Sequence, residues 1–94
     1  MIKRQIEIIN KLGLHARAAT KLVKLASSFE SEIQINRQND DGHDKIVNGK
    51  SIMGVMMLAA SKGSEITLII EGNDEQAAAD QIEALVTDRF GEEE

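Results

Sequence analysis

Over Met1–Ile9 apolar and polar positions alternate with a period of two, Ile2, Ile6 and Ile8 on one side and Lys3, Gln5 and Glu7 on the other. That period predicts a strand, and Arg4, which interrupts the apolar side, predicts a place near a sheet edge. Asn10-Lys11-Leu12-Gly13 reads as a turn. From Ala16 to about Ser28 the period becomes helical, with Ala19, Leu22, Val23, Ala26 and Phe29 on one stripe. Ser31–Asn36 alternates again around Ile33 and Ile35. The polar stretch from Arg37 to Asp44 holds a strong turn signal, Asn39-Asp40-Asp41-Gly42, and Lys45, Ile46 and Val47 return as the second arm of a hairpin.

Ser51 predicts the N-cap of a short second helix running through about Leu58. Ile52, Val55, Met56 and Ala59 follow helical spacing there, while Met53 and Met57 fall toward the other side. Surplus Met usually fills cores. Six residues of this kind cannot all be buried against one sheet, however, so Ile52 and Met53 are expected to form an exposed patch. Ala60-Ser61-Lys62-Gly63 reads as a loop, and Ser64–Glu71 as the longest strand, Ile66, Leu68 and Ile70 facing inward and Ile69 breaking the alternation. Asn73 or Asp74, with Gln76 reaching back in a capping box, predicts the start of a last helix. Its stripe is Ala78, Ile82, Leu85, Val86 and Phe90, and Gly91 is its stop. Residues 1–91 therefore make one domain, and the acidic tail 92–94 is expected to fray. The order β-α-β-β-α-β-α predicts an α+β open-faced β-sandwich, a four-stranded antiparallel sheet with three helices on one face.

Composition narrows the chemistry. Ninety-four residues, 41% of them apolar, suffice for one modest core. With two Phe and no Trp or Tyr, that core is built from aliphatic side chains and Met. The absence of Cys removes disulfides, thiolate metal sites and cysteine nucleophiles. A net charge of −5 with so few aromatics argues against nucleic-acid binding. No apolar run approaches membrane-spanning length and the N-terminus lacks the apolar core of a signal peptide, so a cytoplasmic chain is expected.

The sharpest chemical feature is His15, which falls at or beside the N-cap of the first helix. The unpaired amides of that first turn and the positive end of the helix dipole suit an anion, and they favour a neutral imidazole with a free lone pair. Arg17 adds a planar, fork-shaped phosphate contact. A nucleophilic imidazole beside such a cradle suits a histidine that accepts and passes on a phosphoryl group, because that transfer needs mainly positioning and charge stabilisation. The plainer alternative is an ordinary helix start with a solvated arginine. Elsewhere the residues say less. His43 lies in the hairpin loop with acidic neighbours and no second metal ligand of its own type, so a solvated side chain is expected. Asn48-Gly49-Lys50-Ser51 resembles the end of a phosphate-binding P-loop, but the required earlier Gly is Asp44, and the match fails. Thr20, Lys24 and Ser27 lie off the first helix's buried stripe, on a face continuous with Arg17.

Gly13-Leu14-His15-Ala16-Arg17 resembles the active-site signature of the HPr-type phosphocarriers of the bacterial phosphotransferase system. Gly49-Lys50-Ser51-Ile52-Met53-Gly54-Val55-Met56 is similar to that family's regulatory-serine segment, and the likeness covers essentially the whole chain. Ile8–Ala19 and Met56–Ala60 look most like the nitrogen-branch carrier of the family. One departure is Ala18, where the common pattern has proline; alanine keeps the helix start but not the ring's rigidity. The resemblance implies a carrier with no cofactor or metal and no turnover of its own. In it, His15 takes phosphate on Nδ1 from an enzyme-I-type protein charged from phosphoenolpyruvate and passes it to a IIA-type protein. The backbone N–H of Ala16 and the side chain of Arg17 would hold the phosphate. The partner surface would comprise Thr20, Lys24, Ser27, Ile52, Met53 and Met56, on a monomer. Ser51 carries a second implied role as a kinase target whose added charge repels acidic partners. Three alternatives stay open: the sugar-uptake branch, a regulatory binder that carries no phosphate, and a ferredoxin-like small-molecule sensor with the same element order.

Overall fold

A computed structural model describes residues 1–38 and 41–94; of the turn expected over Asn39–Gly42, Asn39 and Asp40 lie outside the described residues. The elements are β1 (Ile2–Glu7), α1 (Ala16–Ser27), β2 (Glu32–Gln38), β3 (Asp44–Asn48), α2 (Ile52–Met57), β4 (Glu65–Glu71) and α3 (Glu75–Thr87), then a single turn at Arg89–Gly91. The strands form one antiparallel sheet in the order β1-β4-β2-β3. Register lines up the apolar positions: Ile2, Ile70 and Ile33 form one row, and Arg4, Leu68, Ile35 and Val47 the next. Ile33, Ile35, Ile66, Leu68 and Ile70 are buried beneath the helices, while Lys3, Gln5, Glu7, Glu32 and Glu65 are exposed on the open face. Burying each such aliphatic side chain stabilises the fold by about 1.5–3 kcal/mol, so this one-sided alternation fixes which face the helices cover. The chain is an α+β open-faced sandwich.

Arg4 sits on the edge strand β1, as its break in the apolar pattern predicted, and its guanidinium pairs with Asp80 at 2.8 Å and Glu83 at 3.0 Å on α3. The Ser51 hydroxyl caps α2 by accepting the Gly54 amide at 3.1 Å. At the other end of α2, Lys45 donates to the Met57 carbonyl and Arg37 to that of Leu58, satisfying carbonyls that have no helical partner.

The apolar surplus of α2 stays outside, as expected: Ile52 and Met53 are exposed, within α2 only Val55 is buried, and the next apolar anchor is Leu58. One turn and a half of helix presents too narrow a face to the sheet for more. Two expectations need correction. The capping box at α3 is absent. Asp74 is the N-cap, yet its carboxylate accepts the amides of Glu30 and Ser31, each at 2.9 Å, and the Ser31 hydroxyl, while Gln76 donates to Asp80. The connection after α1 outcompetes the helix's own amides because it offers three donors at once. Finally, α3 ends at Thr87 rather than at Phe90. Arg89 (φ 55°) and Phe90 (φ 54°) are left-handed, followed by Gly91 (φ 78°). Left-handed backbone costs about 1–2 kcal/mol per non-glycine residue. The burial of the Phe90 ring, 1% exposed, offsets that cost and turns the chain back toward the start of α1.

The Asp74 contacts make stability depend on pH. The Ser31 hydroxyl first, then the Glu30 amide, hold its carboxyl below the usual carboxylate range. A carboxyl depressed in the folded state contributes stability above its unfolded value, and that contribution disappears as pH falls through the folded one. Asp74→Asn is expected to flatten the acid limb of thermal unfolding below about pH 4, measured as melting temperature against pH.

Candidate functional site

The residues around His15 are placed by the junction of β1 and α1. Past the strand, Ile8 donates its amide to Ser64 and accepts from Gly63, and Asn10 is fully buried. The chain then turns through Gly13 at φ 65°, where a Cβ would stand 2.5 Å from the Ala60 carbonyl oxygen, so only glycine fits. Leu14 locks the turn by burying its side chain and donating its amide to Ala60 at 2.8 Å. His15 follows as the extended N-cap of α1, and its carbonyl accepts the first helical bond, from Ala19. Its side chain makes no cap hydrogen bond, and the amides of Ala16 and Arg17 have no acceptor among the described residues.

The imidazole faces outward with its side chain 26% exposed, and Nε2 lies 2.5 Å from Oε2 of Glu92. Asn10 holds the other Glu92 oxygen, donating from Nδ2 at 2.9 Å, and donates from the same nitrogen to the Gly13 carbonyl at 2.9 Å. The Asn10 amide and the His15 ring hold the Glu92 carboxyl below the usual carboxylate range, with a smaller contribution from the Lys21 charge. An ionised carboxylate can only accept, so in the neutral ring the proton sits on Nε2 and the lone pair on Nδ1. Nδ1 has no hydrogen-bond partner among the described residues. The guanidinium of Arg17 is likewise unpaired among the described residues, and it lines a shallow hollow of about 520 Å³ with Lys11, Lys21 and Glu92. The imidazole, the open amides and the Arg17 side chain all belong to the N-cap and first turn of α1.

Glu92 and Asn10 are the members of this site that the sequence did not announce. Asn10 was readable only as a turn residue, and Glu92 only as part of a charge run expected to fray. Glu92 meets the ring, the backbone oxygen of Glu94 accepts the Lys11 amide at 2.8 Å, and just before the tail Lys21 Nζ donates to the Phe90 carbonyl at 2.6 Å. The only available signal was Phe90-Gly91, a buried aromatic beside a glycine able to reverse the chain. The remaining candidates fall elsewhere. Thr20, Lys24 and Ser27 are exposed on α1, which packs against α2, and α2 exposes Ile52 (43%), Met53 (70%) and Met56 (41%). Ser51 is half-buried at the cap of α2. His43, in the hairpin loop before β3, is exposed and lies 3.2 Å from Asp41.

A family model described as the PTS HPr component phosphorylation site matches residues 2–88. The chain belongs to the HPr family of phosphocarriers. Among relatives, it is 52% identical to phosphocarrier protein HPr of Cupriavidus necator, with all of both chains covered. It is also 47% identical to phosphocarrier protein NPr of Shewanella violacea, over 97% of this chain and 94% of that one. A crystal structure of HPr from Thermoanaerobacter tengcongensis matches at TM-score 0.87 and 44% identity, again covering both chains fully. HPr proteins are carriers within the phosphotransferase system and not stand-alone enzymes, so the system's enzymes are the partners that membership implies. Among the described residues no helix is long and apolar enough to cross a membrane.

Proposed function

We propose that this HPr-family protein carries phosphate on Nδ1 of His15, taking it from an enzyme-I-type donor and passing it to a IIA-type acceptor. The observation that carries the proposal is the pairing of Nε2 with Glu92, which in the neutral ring leaves Nδ1 unprotonated at the residue that opens α1, where the Ala16 and Arg17 amides have no acceptor among the described residues. The equatorial oxygens of the phosphoryl group then meet the Ala16 N–H and the Arg17 guanidinium, which stabilise their charge. The chain supplies no turnover of its own and works in the cytoplasm as a monomer. The deciding experiment combines the purified protein, phosphoenolpyruvate and an enzyme-I-type protein, and maps the modified residue. An acid-labile phosphate on His15 supports the proposal, and none on it rejects it.

For the branch, we propose nitrogen regulation, on the residue likeness of Ile8–Ala19 and Met56–Ala60 to that type. The second reading, a general HPr carrier of the sugar branch, is favoured by the name of the relative at 52% identity. Phosphorylation only by a sugar-branch enzyme I would reject the nitrogen assignment.

The docking surface proposed is the exposed α1 face of Thr20, Lys24 and Ser27 together with Ile52, Met53 and Met56 on α2. Met53→Glu places a charge in the apolar part of that surface at a side chain 70% exposed. It is expected to weaken phosphoryl transfer from the donor roughly tenfold or more and to leave the melting temperature nearly unchanged. Loss of the fold in this variant would mean that Met53 is a core residue. Phosphorylation of Ser51 would set negative charge beside the same patch and oppose acidic partners. A phosphoproteome of the native host with only His15 modified rejects that regulatory role.

A further inference from the structure

From the tail contacts we infer that Glu92 is a positioning residue for phosphoryl transfer, keeping the proton on Nε2 of His15 while Nδ1 gains and loses phosphate. The inference rests on the carrier reading above and adds a residue to it. Its ground is geometry. A carboxylate oxygen 2.5 Å from Nε2 accepts from that nitrogen, and the second oxygen is tied at 2.9 Å to Asn10, a fully buried amide that also braces Gly13 two residues before the histidine. The segment bearing Glu92 is anchored on both sides, by Phe90 in the core with Lys21 on its carbonyl, and by the Lys11 amide on Glu94. A solvated glutamate in a free tail would need none of these contacts.

The chemistry assigns the contact a task in both directions. When Nδ1 attacks phosphorus, its lone pair forms the new nitrogen–phosphorus bond. The donor's bond to phosphorus breaks, and the donor keeps that electron pair. The ring keeps its Nε2 proton and becomes cationic, and the fixed carboxylate stabilises that charge. In the onward step the nitrogen–phosphorus bond breaks, the pair returns to Nδ1, and the ring departs neutral with the proton still on Nε2. Without Glu92 the phosphorylated ring is free to lose that proton, and it would then have to leave as an imidazolide, a far poorer leaving group. The contact also holds the ring's rotation, so Nδ1 points away from the tail.

The test compares Glu92→Ala with Glu93→Ala, which removes the same charge one residue on. Two readouts are taken on the full chain: transfer rates to and from His15, and ¹⁵N spectra of histidine-labelled protein at a pH where the ring is neutral. The unmodified protein is expected to show the proton on Nε2 only. Glu92→Ala is expected to show a second population with the proton on Nδ1 and to slow transfer roughly tenfold, while Glu93→Ala stays within about twofold on both readouts. A wild-type ring protonated on Nδ1, transfer in Glu92→Ala that is unchanged or faster, or an equal loss in Glu93→Ala would overturn the inference. If wild-type His15 takes no phosphate at all, the carrier reading falls with it. A phosphorylatable wild type beside an unaffected Glu92→Ala removes Glu92's role alone.

Discussion

His15→Ala removes all acid-labile phosphorylation and moves the melting temperature by less than about 4 °C. The ring is a quarter exposed, lies outside the hydrophobic core and makes one side-chain hydrogen bond among the described residues, to Glu92, so its removal opens no cavity in the core. Its backbone role as the N-cap of α1 survives, because the carbonyl that accepts the Ala19 amide is unchanged and the imidazole makes no cap bond. What is lost is the imidazole proposed as the phosphoryl acceptor. Arg17→Ala makes the informative contrast. In the proposed mechanism the guanidinium stabilises the transition state and is not the acceptor, so the histidine is expected to remain modifiable at a rate lower by roughly 10- to 100-fold, the worth of a charge-assisted contact of about 1.5–3 kcal/mol. Rapid-quench transfer assays paired with thermal melts separate the two cases. Residual acid-labile phosphate in His15→Ala would place the acceptor on another residue.

Gly13→Ala strikes the same site through the backbone, and it is expected to be strongly destabilising. The added carbon would lie 2.5 Å from the Ala60 oxygen and 2.8 Å from the Ser61 Cα, both backbone atoms that cannot rotate aside. The residue would also have to hold φ 65° with a side chain, at about 1–2 kcal/mol. Forcing the two loops apart adds about 1–3 kcal/mol. Together these approach the marginal stability of a small domain and lower the melting temperature by roughly 10 °C or more. The same displacement pulls on the Leu14–Ala60 and Asn10–Gly13 bonds that set the pose of His15, so transfer slows as well. Gly63→Ala is the control. Gly63 also has a positive φ, 91°, but nothing stands within 4 Å of its would-be Cβ, so it bears only the conformational cost. Equal losses in the two variants would show that steric contact with Ala60 contributes nothing.

The sequence by itself determined the architecture and half of the site. The alternation of Ile33 and Ile35 and of Ile66, Leu68 and Ile70, and the helical stripe from Ala19 to Ala26, are local periodicities, and the structure buries those residues. A strand–turn–helix junction likewise carries its own geometry, so His15 as N-cap with Arg17 in the first turn could be read before any fold was known. Arg4 at the sheet edge and Ser51 as a cap were legible for the same reason. Tertiary structure alone decided the remainder. No periodicity relates Glu92 to His15: their meeting depends on the end of α3, on two residues held left-handed by the burial of Phe90, and on an asparagine whose burial only the assembled loops create. The Asp74 carboxylate turned to Ser31 and Glu30 because a distant segment brings three donors to it, and α2 kept its Met side chains in solvent while Val55 and Leu58 entered the core. Local pattern records what a segment prefers; which charged or apolar group finds a partner across the molecule is settled by packing among segments far apart in the chain.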